Sequence, residues 1–388
     1  MLPLLACAGA PPDTSPPADD TAADTAADTA APPDTGKAAW ADVVIDGPMR
    51  GFSLGDRLLV THEGGEGDGG GFYGETWVLP RGVTDTTEAL ATVDANATDV
   101  LGDIDGDGVD DWMAEVLDGV WVASGAATGA LSPATAPLSA PEGWQGRAGG
   151  DLDGDAVPDL LVSTGEGAAV VSGAARGEVT TYAATVYADA PTYTYAGVGD
   201  LDGDGAADLV VNTGARSAWL LPGPLAGAVY AADGIAVPVP SNAGSPFQLA
   251  AAGDMDGDGY GEFVANCRGF TAAVGVYGIG GAKAEIPIYT GLSLDPRPAA
   301  DVDGDGVTDL TFVAYDETSA AAWLVHGPLA GTVDLATDGV PFRGDAVASG
   351  LDDADGDGTP DLLIGLATGY AVDGGWWGSR LAVVLQGG

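Results

Sequence analysis

The chain has 388 residues, 46% of them hydrophobic, which is enough for a large core. Its formal net charge of −46 argues against nucleic acid as a partner, and two cysteines cannot make a disulfide framework. No apolar run reaches the roughly 18 residues that a membrane-spanning helix needs.

In chain order, the first segment is Met1 to Cys7. It contains Leu4-Leu5-Ala6-Cys7 and resembles a bacterial lipobox, so Cys7 is the expected lipidation site. Residues 8–37 follow as an Ala/Pro/Thr/Asp tract. Such low complexity cannot bury a core and is expected to act as an extended tether. The folded unit is expected over residues 38–388.

A strand is predicted at Ala41-Asp42-Val43-Val44-Ile45, then a short hairpin around Gly55-Asp56-Arg57-Leu58-Leu59-Val60. An acidic loop, D-x-D-G-D-G-x-x-D, then begins at Asp103 and recurs at Asp151, Asp200, Asp254, Asp301 and Asp353. The six copies are 47 to 54 residues apart, the signature of a repeat architecture. Each loop leads into a short β-branched run, as in Asp159-Leu160-Leu161-Val162 and Asp309-Leu310-Thr311-Phe312. A second apolar strand recurs seven times, at Trp77-Val78-Leu79, Trp121-Val122-Ala123, Ala169-Val170-Val171, Trp219-Leu220-Leu221, Val274-Gly275-Val276, Trp323-Leu324-Val325 and Ala382-Val383-Val384. Its tryptophans are expected in the core.

Carboxylates at loop positions 1, 3, 5 and 9 are hard oxygen donors of the kind that Ca²⁺ prefers. The loops are not EF-hands, which close with an acid at position 12. That offset holds Ala114, Val162, Val211, Ala265, Phe312 and Ile364 here.

Loop, strand and second apolar strand together resemble the FG-GAP (integrin α-type, VCBS-like) repeat of calcium-binding β-propellers. The resemblance implies an all-β fold, a seven-bladed β-propeller of four-stranded blades, with the ring closed by the N-terminal strand. It implies up to six Ca²⁺, one per blade except the first, where the loop is missing. The implied ligands are Asp103, Asp105, Asp107 and Asp111; Asp151, Asp153, Asp155 and Asp159; and Asp200, Asp202, Asp204 and Asp208. They continue as Asp254, Asp256, Asp258 and Glu262; Asp301, Asp303, Asp305 and Asp309; and Asp353, Asp355, Asp357 and Asp361. The acid at position 9 is expected to offer both oxygens. Two departures stand out. Ala156 replaces the Gly of position 6, so the second site is expected to be the weakest, and Glu262 replaces Asp at position 9.

The same scheme places Arg57 and Arg176 on the metal side. Arg147, Tyr195, Arg216, Arg268, Phe270, Tyr315, Tyr370, Trp376 and Trp377 fall on the opposite face. Arginine with aromatics is the composition of a recognition surface, and that face is the expected ligand site. His326 reads as a strand-end residue. No nucleophile elbow, P-loop, H-E-x-x-H or Cys–His pair occurs. The reading is a monomeric, secreted or surface-tethered binding module for a protein or glycan. Its alternatives are a carbohydrate- or lipid-active propeller enzyme and a purely structural envelope protein.

Overall fold

The protein is described by a computed structural model. It covers residues 43–46, 49–54, 57–62, 74–80, 86–116, 119–132, 136, 138–140, 146–164, 167–188, 194–214, 217–237, 247–267, 273–278, 281–287, 293–298, 301–315, 320–342, 345–350, 362–367 and 379–384. Cys7, the tether and the sixth acidic loop lie outside the described residues.

The fold is all-β. Among the described residues the strands form seven sheets of four or five strands. The second sheet shows the plan. Asn96–Gly102 pairs antiparallel with Asp111–Val116, which pairs with Gly119–Ala123, which pairs with Leu138–Ala140. The third sheet repeats it with Gly146–Gly150, Asp159–Thr164, Gly167–Val171 and Ala184–Tyr187. In both, the acidic loop joins the first strand to the second. All seven of the later apolar strands read from the sequence occur as third strands.

Two pairings link distant parts of the chain. Val43–Asp46 pairs antiparallel with Ser379–Val384, Val43 opposite Val383, so the N-terminal strand supplies the fourth strand of the last sheet. Short segments also reach back in parallel to the preceding sheet: Gly129–Ala130 joins Ala91–Val93, and Gly227–Tyr230 joins Ala184–Tyr187. Such pairings cover outer edges that would otherwise present unpaired N–H and C=O groups.

The core lies between successive sheets, and period-two alternation builds it. In the second strand of the third sheet, Leu160 and Val162 pack on Met113, Val120 and Val122 of the second sheet. Leu161, one step along, packs on Leu209 and Val211 of the fourth. The same pattern places Leu54, Leu59 and Val78 against Trp112 and Trp121, and Val264 and Val276 against Leu310 and Val325. Each fully buried side chain of this size contributes about 1.5–3 kcal/mol. Trp112 and Trp121 are buried with ring centroids 6.2 Å apart; Trp219 and Trp323 are partly buried against their clusters.

First strands of successive sheets touch one another from Met49–Leu54 through to Asp345–Gly350. Met49–Leu54 also touches Leu362–Ala367 and Ser379–Val384 of the last sheet. All five described acidic loops therefore leave their sheets at the same strand junction.

Candidate metal centres

The acid at position 9 starts the second strand and is sealed from solvent. Asp111, Asp159, Asp208 and Asp309 are 0% exposed and Glu262 is 1% exposed. Its carboxylate organises the loop. In the first loop, Ile104 N and Asp105 N donate to Asp111 Oδ2 at 3.0 and 3.1 Å, and Gly125 N donates to Oδ1 at 3.0 Å. The second loop repeats this, with Leu152 and Asp153 N–H on Asp159 Oδ2 and Gly173 N–H on Oδ1. Asp208, Glu262 and Asp309 accept the same N–H from position 2, that of Leu201, Met255 and Val302. In the first two loops Oδ2 already takes two donors, so Oδ1 is the oxygen with a lone pair left for an ion.

Position 1 winds the loop. Gly106 N and Asp107 N donate to Asp103 Oδ1, and Gly108 N donates to Oδ2. Position 5 holds the exit: Val109 N donates to Asp107 Oδ1, and Ser124 Oγ to Oδ2. The backbone at position 6 is left-handed, with φ of 87° at Gly108 and 97° at Gly205. Ala156 adopts the same conformation, φ 68°, at a position where glycine is free of strain. An Ala156→Gly variant should therefore stabilise the fold by up to roughly 1 kcal/mol in chelator as well as in Ca²⁺, because the strained turn is present without the ion. Denaturant unfolding in chelator checks this; an unchanged midpoint would refute it.

Ligand atoms of Asp103, Asp105 and Asp111 lie within 4.8 Å of one another, as do those of Asp151, Asp153 and Asp159, and of Asp254, Asp256 and Glu262. In the third loop Asp200, Asp202 and Asp204 gather in this way, and in the fifth Asp303, Asp309 and His326. The structure thus brings positions 1, 3 and 9 together in three loops. Asp107, Asp155, Asp258 and Asp305 stay on the exposed rim, and Asp301 accepts N–H groups of its own loop. Asp353, Asp355, Asp357 and Asp361 lie outside the described residues.

The electrostatics fit a bound cation. Burial pushes the Asp111 carboxyl up to about 6, with the Asp105 charge adding to it. Burial raises Asp159 to about 7, with Asp153 adding, and Asp208 to about 6, with Asp202 and Asp200 adding. Anions crowded at low dielectric lose their proton reluctantly, and a divalent cation removes that cost. An all-oxygen donor set of carboxylates suits a hard ion.

The loops also tie sheet to sheet. Ala207 N donates to Asp151 O and Leu225 N to Leu152 O, both at 2.7 Å; Thr308 N and Leu329 N do the same for Asp254 O and Met255 O. The first loop departs from this because the residue that would donate to Asp103 O is Pro158, which has no N–H. Arg176 bridges at the next carbonyl: its guanidinium donates to Gly173 O and Ala175 O in its own sheet and to Ile104 O, at 3.0 Å, in the preceding one, the position 2 acceptor that Leu225 N and Leu329 N serve in later loops. Arg57, in the sheet without a long loop, donates from Nη1 to Gly125 O, so on the metal side it is an inter-sheet tie.

The residues expected on the opposite face are only partly described. Arg216 falls between the paired strands 209–214 and 217–221, and Arg268 and Phe270 between 262–267 and 273–278. Tyr370, Trp376 and Trp377 fall between 362–367 and 379–384. All six lie outside the described residues. Tyr315 ends its strand at the far end from Asp309. Tyr195 and Ser163 form a hydrogen bond near Arg147; burial raises the Tyr195 hydroxyl, against the effect of both neighbours.

His326 is the functional candidate that sequence reasoning missed. Its Nδ1 lies 3.4 Å from Asp303 Oδ2 and 3.3 Å from Asp309 Oδ2.

Residues 151–211 match a family model described as an FG-GAP-like repeat. The match starts at position 1 of the second loop and ends in the strand after the third. No curated protein shows sequence similarity to the chain. Among solved structures the chain is similar to BBS1N in complex with ARL6DN, with TM-score 0.48 and 9% identity over 89% of this chain and 94% of that one. It is also similar to an Agrocybe aegerita lectin described as recognising non-reducing terminal N-acetylglucosamine, with TM-score 0.46 and 15% identity over 83% of this chain and 88% of that one.

Proposed function

We propose that this chain, which carries an FG-GAP-like repeat at residues 151–211 and the same loop-and-strand unit elsewhere, is a calcium-stabilised seven-bladed β-propeller that binds a protein or glycan. The observation that carries the reading is the recurrence of one loop geometry: a buried acid at position 9 gathered with the carboxylates of positions 1 and 3 at the same junction of successive sheets. Seven sheets, contacts between successive first strands, and a last sheet completed by Val43–Asp46 support a closed ring.

In this reading Asp103, Asp105 and Asp111, with their counterparts in the other loops, hold Ca²⁺, and the ion neutralises the buried acid. The role is structural, because the second and fourth loops already carry backbone hydrogen bonds that join neighbouring sheets. Extracellular modules bind Ca²⁺ with Kd of about 10⁻⁴–10⁻³ M, so a secreted or cell-surface location, with Cys7 as a lipid anchor, suits such loops.

Ligand recognition belongs to the opposite end of the strands, where Arg216, Arg268, Phe270, Tyr315, Tyr370, Trp376 and Trp377 fall in sequence. The test is a glycan array together with cell-surface pulldown, in Ca²⁺ and in chelator. Binding should fall at least tenfold in Trp376→Ala and Trp377→Ala variants that keep the wild-type melting temperature. Binding unaffected by both variants would remove this face as the ligand site, and turnover of a polysaccharide would replace the binding module with an enzyme.

A further inference from the structure

The fifth loop differs from the others in one donor. The residue opposite position 9 on the third strand is Ser124 in the first loop's sheet and Ser172 in the second's, one step beyond the Trp112–Ala123 and Leu160–Val171 pairs. It is Pro222 in the fourth sheet and Gly278 in the fifth. In the sixth sheet, one step beyond the Leu310–Val325 pair, it is His326. The register therefore aims an imidazole across the hairpin at Asp309.

The geometry is that of donors around a common point. Nδ1 lies 3.3 Å from Asp309 Oδ2 and 3.4 Å from Asp303 Oδ2, and ligand atoms of the three residues share one 4.8 Å cluster. A charge-assisted N–H···O bond is shorter, about 2.7–2.9 Å. Two donors on one Zn²⁺ ion, each at about 2.1 Å and at tetrahedral angles, stand about 3.4 Å apart. Nδ1 itself is also shut off from solvent, although the His326 side chain as a whole is 35% exposed. Ca²⁺ takes oxygen ligands, whereas imidazole suits Zn²⁺ and related transition ions.

We propose that the fifth loop is a mixed nitrogen–oxygen site, with ligands Asp303, Asp309 and His326, selective for a divalent transition ion of the Zn²⁺ class over Ca²⁺. The inference rests on the loops being metal sites, as proposed above. Two carboxylates balance the ion's charge, and neutral His326 coordinates through Nδ1 with its proton on Nε2. One propeller would then carry two kinds of ion.

The full-length protein, saturated with Ca²⁺, is titrated with Co²⁺ and followed by its visible d–d absorption, then back-titrated with Zn²⁺. One equivalent of Co²⁺ should bind and be displaced by one equivalent of Zn²⁺. His326→Ser, which installs the residue that two sister repeats carry, should weaken Co²⁺ binding at least tenfold. His62→Ser, at the only other histidine, should not. No Co²⁺ band in the wild type, or an unchanged band in His326→Ser, overturns the proposal. The Ca²⁺-dependent rise in melting temperature of His326→Ser reports separately on the calcium reading. If that rise persists while Co²⁺ fails to bind, the mixed site alone is wrong. If Co²⁺ binds through His326 while Ca²⁺ shifts nothing, the calcium reading alone is wrong.

Discussion

Removing Ca²⁺ with a chelator should lower the melting temperature by about 3–10 °C relative to the protein in roughly 1 mM Ca²⁺. Sites with Kd of about 10⁻⁴–10⁻³ M each contribute about 0.4–1.4 kcal/mol at that concentration by mass action. Five such sites, leaving out the mixed-donor fifth loop, sum to roughly 2–7 kcal/mol. A folded unit of roughly 350 residues has an unfolding entropy near 0.7 kcal/mol per degree, which converts that sum to the stated shift. The effect should grow with pH. Asp111, Asp159 and Asp208 hold their protons up to about 6, 7 and 6 in the metal-free fold, against 3.8 for an ordinary carboxyl. A group raised in this way favours the fold below pH ~4 and gives that stability up as pH climbs through its folded value. Ca²⁺ takes the place of the proton. Calorimetry with and without chelator should therefore show a larger gap at pH 8 than at pH 5. A melting temperature indifferent to chelator at pH 8 would remove the metal from the account.

Asp159→Ala should be the most damaging single change in the second loop, with or without Ca²⁺. The side chain is sealed from solvent and takes the N–H groups of Leu152, Asp153 and Gly173. Each buried donor left without a partner costs about 1–3 kcal/mol, so a loss of about 3–5 kcal/mol is expected, or roughly 4–7 °C. Asp155→Ala is the contrast. Asp155 sits on the exposed rim and accepts from Val157 N and Ser172 Oγ. It should weaken Ca²⁺ binding while shifting the chelated protein by no more than about 0.5 kcal/mol. Denaturant unfolding of both variants in chelator separates the roles. Equal losses would mean that position 9 is only a ligand and not the hub of the loop.

These two positions show how far the sequence could be read. Both are aspartates of one motif, and spacing alone marks them as equals. What separates them is burial and the donation by Gly173 N, which comes from the turn just past the third strand, 14 residues on. Local patterns carried most of the architecture. The loops, the seven later strands and the N-terminal strand that completes the last sheet all follow from period and apolar alternation.

What escaped depends on pairing register and on neighbours in another sheet. His326 reads as a strand end because its distance in sequence from Asp309 depends on hairpin length; only the Leu310–Val325 register puts it opposite that acid. Arg176 reads as a charge on the metal side, and its bridge to Ile104 O becomes intelligible only once that carbonyl is seen to match the acceptors that Leu225 N and Leu329 N serve in later loops. A position-specific signal was available in hindsight: histidine in the slot that holds serine in two sister repeats.

The central claim is that the acidic loops are cation clamps, and counting ions on the intact molecule tests it most directly. Native mass spectrometry of the folded protein in saturating Ca²⁺, repeated after chelation, should find at least five bound Ca²⁺, one for each acidic loop of the sequence other than the mixed-donor fifth, lost together with the fall in melting temperature. A folded protein that retains no Ca²⁺ at millimolar concentration, and melts at the same temperature in chelator, would contradict it.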